Sequence, residues 1–262
     1  MTIPRVAPLA VVLVVTAAAC SSDSEPAETA GTAPPPTQAT TATTTATTVA
    51  PTTSSEPLPT ATTSAVTTTT LPGEPFDLFV PQDGEVLSVV AVAHDDVLNI
   101  REGPGVGFDI VGTLAPTADD VVGTGLGRRL DNSIWWQVMA FGTTGWVNSS
   151  FVSRTGQVVD LTFEAVDSLG AIPTATTMEE LGLITAESLA SVDPASDIVM
   201  SVAPTVGDLG EVTFDIVGFG DDSVSGYRLH IFADVTDDGF SLSSVEATVL
   251  CTRGVSPDGL CA

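Results

Sequence analysis

The absence of aromatic side chains before Phe76 most constrains how this chain can fold. About a third of residues 21–75 are Thr, and most of the others are Ala, Pro or Ser. Such a segment buries too little apolar area to offset its conformational entropy. We therefore predict a disordered stalk over residues 20–75, a spacer whose ends lie roughly 40 Å apart on average. Any packed core is expected within residues 76–262.

The first 19 residues have the pattern of an export segment. Arg5 supplies a positive charge, an apolar run follows at residues 9–15, and three alanines precede Cys20. The apolar run is too short for a stable membrane-spanning helix, which needs about 20 apolar residues. A positive start, an apolar centre and small residues at the end are typical of a cleavable signal peptide, predicted at 1–19.

The position of Cys20, directly after the small residues, resembles the lipobox of bacterial lipoproteins. This resemblance implies that the Cys20 thiol receives a diacylglycerol and that cleavage precedes it, so that acyl chains such as palmitate hold the protein on the membrane. Two or more chains suffice for stable attachment. The expected location is the outer face of the cytoplasmic membrane, in the cell envelope. The alternative is an ordinary signal peptide followed by an incidental cysteine.

Charge excludes one class of function. The 262 residues carry 33 carboxylates against seven Arg and Lys side chains, a formal net charge of −26. Nucleic-acid-binding proteins concentrate positive charge against phosphates, so no nucleic-acid partner is expected. The acidity indicates solubility rather than a specific partner.

The cysteine count favours one disulfide. If Cys20 takes lipid, Cys251 and Cys261 remain, and an exported pair is expected to oxidise. Metal ligation is the alternative, but the two histidines of the chain, His94 and His230, lie far from this pair in sequence.

The foldable part divides into two expected modules. Residues 76–154 contain short apolar runs separated by Gly, Pro, Asp and Asn, which predicts a small all-β barrel or sandwich. Residues 155–262 predict an α+β module with an antiparallel sheet. Thr177-x-x-Glu180 is a capping box that opens a helix, with a second helical turn or two at 185–192. Strands are predicted at 198–203, 211–219, 227–235 and 240–251, and Thr236-Asp-Asp-Gly239 predicts a hairpin. In the second of these strands, Val212, Phe214 and Ile216 alternate with Thr213 and Asp215, which is the period-two pattern of a half-buried strand.

Three sequence elements in the first module carry a family resemblance. They are L-N-I-R-E-G-P-G at 98–105, W-W-Q-V at 135–138 and G-W-V-N-S-S-F-V at 145–152. In this order they resemble bacterial SH3-like (SH3b) domains, with Phe151 where Tyr is usual. The resemblance covers about a quarter of the chain and implies an SH3-like barrel. The second module resembles no family.

The SH3b resemblance implies binding rather than catalysis. Members commonly attach to peptidoglycan or its peptide bridges through an aromatic-lined groove. By position, the groove candidates are Phe108, Asp109, Trp135 and Phe151. Aromatic faces suit Pro- or Gly-rich peptides and sugar rings. The alternative is that these aromatics belong to the core, which is favoured for Trp146 and equally weighted for Trp136.

Residues suited to catalysis are sparse. No G-x-S-x-G elbow is present, and two distant histidines do not supply a usual zinc site. The Asp221-Asp222 and Asp237-Asp238 pairs fall in predicted turns, His230 is expected to be structural, and Arg128-Arg129 is expected in a solvated loop. We therefore predict a non-enzymatic envelope lipoprotein without a cofactor or metal that binds peptidoglycan or a cell-wall peptide. The alternatives are a structural or sensory partner of another exported protein, and an enzyme of unrecognised type in the second module.

Overall fold

The computed structural model describes residues 70–205 and 210–262. The predictions for the signal peptide, Cys20 and nearly all of the stalk lie outside these residues. The described residues belong to one compact unit. Within them, no helix is long and apolar enough to cross a membrane.

The first half of the described chain consists of strands joined by short turns. A 3-10 turn at Ser149–Phe151 precedes the last strand. The strands are β1 (Glu74–Pro75), β2 (Val86–Val89), β3 (Leu98–Arg101), β4 (Ile110–Leu114), β5 (Val121–Leu130), β6 (Ser133–Ala140), β7 (Thr143–Asn148) and β8 (Val152–Asp160).

The second half combines two helices with an antiparallel meander, which is an α+β arrangement of the kind that the sequence predicts. Its elements are α1 (Thr162–Leu169), β9 (Thr174–Ala175), α2 (Met178–Leu189), β10 (Asp197–Val202), β11 (Glu211–Val217), β12 (Val224–Thr236) and β13 (Gly239–Cys251).

The strands pair antiparallel throughout and follow one continuous path. Their order is β10-β11-β12-β13-β8-β2-β5-β6-β7-β3-β4, with β1 beside β5 and β9 beside β13. The path does not return to its starting strand, so the sheet is open. Strand β8 joins the two halves because it pairs with β13 and also with β2.

Two clusters of buried apolar side chains form the core. The first lies among β2 to β8 and includes Leu87, Ile100 and Val138. The second lies between the helices and β11 to β13 and includes Leu181 and Ile231. Each cluster arises from alternate strand residues that turn the same way, which is the period-two pattern of the sequence.

Helix α2 begins as predicted. The Thr177 hydroxyl accepts a hydrogen bond from the Glu180 backbone N–H at 3.2 Å, which satisfies one free donor of the first turn. The helix continues without a break to Leu189, so the turns predicted at 185–192 are helical as far as Leu189 but belong to the same helix. Helix α1 was not predicted, because it is only two turns long and Leu161 at its start has no capping side chain.

Strand β5 extends well beyond the short apolar run Val121-Val122 that predicts a strand here. Glycines and arginines occupy much of its second half, so no apolar pattern marks that half as strand. The Arg128-Arg129 pair lies on this strand, opposite Trp135 and Ile134 of β6, and not in a loop as predicted. The Arg129 guanidinium lies 4.2 Å from the centroid of the Phe76 ring.

Strand β11 is buried on both faces. Val212, Phe214 and Ile216 enter the second core cluster, as their alternation predicts. The intervening Thr213 and Asp215 are also buried, whereas the pattern predicts a half-buried strand. The reason is that residues of the first half, Ala91 among them, cover the second face of β11.

Candidate ligand-binding cavity

Two of the predicted groove aromatics line the same cavity. Trp135 lies on β6, and its indole N–H donates to the Ser133 hydroxyl at 2.9 Å. Phe151 ends the 3-10 turn, which Asn148 caps by accepting the Ser150 backbone N–H at 3.0 Å. The first bond holds the Trp135 indole, and the second stabilises the turn that carries Phe151.

This space, the aromatic cavity, has a volume of about 420 Å³. It is open to solvent and mostly apolar, with charged and amide groups at several points. Its lining residues are Ala91, Val92, Ala93, Asp96, Val97, Leu98, Asn99, Arg101, Val106, Trp135, Asn148, Phe151 and Val199.

The loop between β2 and β3 forms one wall of the aromatic cavity. The second half of the fold holds this loop at two points. The Ala91 backbone N–H donates to Oδ2 of Asp215 at 2.8 Å, and the His94 backbone N–H donates to the Met200 carbonyl at 2.9 Å. Val199 of β10 also contributes to the lining. The cavity is therefore built by both halves of the chain.

A second cavity of about 560 Å³ adjoins the first. Ala91, Phe151 and Val199 line both cavities, so the two are neighbours along β10. Four serines are among the residues that line the second cavity.

The polar groups of the aromatic cavity differ in charge. Arg101 Nη1 donates to the Phe108 carbonyl at 2.8 Å. Asp96 Oδ1 accepts the Val97 backbone N–H at 2.7 Å. No ion pair involves either side chain within the described residues. The cavity thus offers one cation, one carboxylate, and the amides of Asn99 and Asn148 to a ligand.

The structure places the four predicted groove residues in different environments. Trp135 and Phe151 line the aromatic cavity, although only 3% of the Trp135 surface is exposed. Phe108 and Asp109 do not line it. The Phe108 ring packs over Gly103, where a Cβ atom would overlap it, and the Asp109 carbonyl accepts the Glu102 N–H at 2.9 Å. Phe108 and Asp109 therefore shape the loop after the Gly-Pro-Gly turn.

Sequence reasoning named only two of the lining residues, and Arg101, Val106 and Val199 are among those that it missed. Arg101 and Val106 lie within or beside the L-N-I-R-E-G-P-G element, so the motif held a signal for both. Val199 lies almost a hundred residues further along the chain, and no local pattern connects it to the first half.

The other two tryptophans are buried. Trp136 belongs to the first core cluster, with the Arg154 guanidinium 5.7 Å from the centroid of its ring. Trp146 is 2% exposed, in agreement with its predicted core position. Neither ring lines the aromatic cavity.

Cys251 and Cys261 form the predicted disulfide, with 5.2 Å between their Cα atoms. The Gln157 backbone N–H donates to the Gly259 carbonyl at 2.7 Å, which holds the disulfide loop against β8. The disulfide closes the segment after β13 into a loop, and the hydrogen bond fastens this loop to the strand that joins the two halves.

The candidate catalytic residues lie apart from the aromatic cavity. Hydrogen bonds from the backbone N–H groups of Val224 and Ser223 lower the pKa of Asp221, which is the turn role that the sequence predicts. His230 lies on β12, with Nδ1 3.8 Å from Glu211 Oε1. Among residues 70–205 and 210–262, no three His, Cys, Asp or Glu side chains are grouped to hold a metal ion.

Comparison with known proteins gives no identification: no protein-family model matches the chain, and neither a curated protein nor a solved structure shows a significant match. The geometry of the aromatic cavity therefore has to support the functional argument by itself.

Proposed function

We propose that this chain is a non-enzymatic lipoprotein of the cell envelope that binds peptidoglycan or a cell-wall peptide in the aromatic cavity. The observation that carries the proposal is the cavity itself. It is concave, largely apolar and lined by Trp135 and Phe151, with a few polar groups around them. Ligand sites commonly combine an apolar surface with a small number of orienting polar groups.

The chemistry of the cavity suits a short peptide or a sugar ring. Phe151 is partly exposed and can contact the apolar face of a sugar or a small side chain, whereas Trp135, of which 3% is exposed, adds only a small area to this wall. The amides of Asn99 and Asn148 are both donors and acceptors, so they can orient a peptide bond or a hydroxyl group. The neighbouring second cavity gives room for the rest of a polymeric ligand.

The proposal also includes the finer fold assignment. Strands β2 to β8 surround one apolar cluster, and the three SH3b-like sequence elements fall on β3, β6 and β7 with the turn after β7. This arrangement supports an SH3-like barrel, although the sheet is open. In the proposed protein, lipid on Cys20 sets the location and the stalk at 20–75 sets the reach.

The test is co-sedimentation of the full-length protein, expressed with its export segment and purified in mild detergent, with insoluble peptidoglycan. The test variant is Val106→Glu. Val106 lines the cavity but is 78% exposed, so the substitution adds a charged obstruction without disturbing the core. The matched control is Val235→Glu on β12, which makes the same change at a position that is 71% exposed and lines neither cavity.

The expected result is that the wild type and Val235→Glu sediment with the wall, whereas Val106→Glu stays in the supernatant. Unchanged melting temperatures would show that all three proteins are folded. If the folded wild type remains in the supernatant at every pH and salt concentration, wall binding is refuted. The role as a partner of another exported protein would then take its place.

A further inference from the structure

Arg101 is placed differently from the other arginines of the fold. The guanidinium groups of Arg154, Arg228 and Arg253 are each paired with a carboxylate. Arg129 lies against the Phe76 ring, and Arg128 donates to the Gly73 carbonyl but lines neither cavity. Arg101 lines the aromatic cavity, and within the described residues its only side-chain hydrogen bond is the one from Nη1 to the Phe108 carbonyl.

This arrangement leaves most of the hydrogen-bonding capacity of Arg101 open to a ligand. A guanidinium carries five N–H donors in a planar fork, and one bond to a backbone carbonyl uses a single donor. The fork matches the two oxygens of a carboxylate, and such charge-assisted hydrogen bonds are stronger than neutral ones. The bond to Phe108 also holds the guanidinium in place, which lowers the entropic cost of binding.

We propose that the aromatic cavity recognises a free carboxylate, which Arg101 binds while an adjacent small apolar group contacts Phe151 and Trp135. This inference rests on the proposed function and narrows it. Among wall components, it selects peptides with a free carboxyl group over amidated peptides and over neutral glycan.

Asp96 restricts the ligand further. Its carboxylate lines the same cavity without an ion-pair partner in the described chain, so it repels a second negative charge. A peptide that carries an ammonium group close to its carboxylate fits both side chains, whereas a polyanion such as a chain of phosphates does not.

The net charge of the protein allows carboxylate recognition by Arg101 to be distinguished from non-specific electrostatic binding. A chain with a net charge of −26 repels an anionic wall, so removal of wall carboxylates should strengthen any non-specific binding. Recognition by Arg101 predicts the opposite sign, because amidation removes the group that the guanidinium binds.

The experiment compares two preparations of insoluble peptidoglycan, one native and one whose carboxyl groups have been converted to amides with carbodiimide and ammonium chloride. The full-length wild type, Arg101→Gln, Arg101→Lys and Arg128→Gln are titrated against both. Arg128 is the matched control. It also donates from Nη1 to one backbone carbonyl, that of Gly73, and has no ion pair within the described residues.

The wild type and Arg128→Gln are expected to bind native peptidoglycan at least about tenfold more tightly than amidated peptidoglycan, the factor that hydrogen bonds to a charged group supply. Arg101→Gln should lose this preference, and Arg101→Lys should retain part of it. A disturbed loop alone would weaken binding to both preparations equally, so the ratio separates ligand recognition from a structural role.

Three outcomes would overturn the inference. If the wild type binds amidated peptidoglycan as well as or better than native, or if Arg101→Gln keeps the preference, carboxylate recognition is wrong and the proposed wall binding stands. If the wild type binds neither preparation, the proposed function fails and the inference fails with it.

Discussion

The ion pair between Arg228 and Asp215 allows a quantitative prediction about how the two halves of the fold are held together. Arg228 donates to both oxygens of Asp215, at 2.7 and 2.8 Å, and to the Val89 carbonyl at 2.6 Å. Asp215 is completely buried and also accepts the Ala91 N–H. The pair on β11 and β12 therefore binds backbone groups at the end of β2 and in the loop that follows it.

Replacing Arg228 with Met removes these donors and leaves a buried carboxylate with one N–H partner. Breaking a buried pair in this way costs about 3–5 kcal/mol, a large part of the 5–15 kcal/mol by which a typical domain is stable. The expected loss in the free energy of unfolding is therefore about 3–5 kcal/mol. Unfolding in guanidinium chloride, followed by circular dichroism, measures this loss. An unchanged slope of the free energy of unfolding against denaturant concentration would show that wild type and variant unfold in the same transition.

A double-mutant cycle tests the reasoning. Asp215→Leu combined with Arg228→Met leaves no unpaired charge, so the double variant should cost no more than either single variant. The control is Arg253→Met, which breaks the exposed pair with Asp222 and should cost under about 1 kcal/mol. Additive costs in the cycle, or a loss below about 1 kcal/mol for Arg228→Met, would refute the argument.

Three further predictions concern single features. Replacing both Cys251 and Cys261 with Ala should lower the free energy of unfolding by about 2–3 kcal/mol, measured by denaturation, and equal stability would contradict the chain-entropy argument. Because backbone hydrogen bonds lower the pKa of Asp221, its stabilising contribution should be constant above its ordinary value of 3.8 and disappear as the pH falls below it. The difference in melting temperature between wild type and Asp221→Ala should therefore be constant above pH 3.8 and shrink below it. A difference that does not change with pH would contradict this role of Asp221. Gly239→Ala should cost about 1–3 kcal/mol, since φ is +135° and a Cβ would overlap the Ala175 carbonyl. Gly84→Ala, at φ +83° with open space around it, should cost less in the same assay.

Local patterns predicted the elements whose signal is contained in a few neighbouring residues. The alternation in β11, the capping box at Thr177 and the Thr236–Gly239 hairpin each depend on short-range geometry. Strand β5 was only partly predicted, because its glycines carry no side chain that could show a period. The prediction of a half-buried strand was wrong for Asp215, because the burial of its face depends on Ala91, which is more than a hundred residues away in the sequence.

The candidate site, too, was predicted only where the signal lies in neighbouring residues. Trp135, Phe151 and Arg101 belong to motifs, and the first two were predicted from them. The motif could not show that Phe108 packs on Gly103, because that contact depends on the conformation of the loop. It also could not show that Val199 completes the cavity, since β10 reaches that place only through the pairing of β8 with both halves.

Strand β8 has a consequence for any attempt to divide this protein. Its residues 152–160 pair with β2 on one side and β13 on the other, and the predicted boundary at 154/155 cuts through it. Residues 152 and 153 pair with β2, whereas residues 154–160 pair with β13, so a cut at this boundary leaves almost all strand pairing within each fragment. The cut separates other contacts instead, because a fragment of residues 155–262 lacks Val89 and Ala91, whose backbone groups pair with the buried Arg228 and Asp215. Separate expression of residues 155–262 should therefore give a destabilised fragment in which the second face of β11 is exposed, even though it keeps its own apolar cluster.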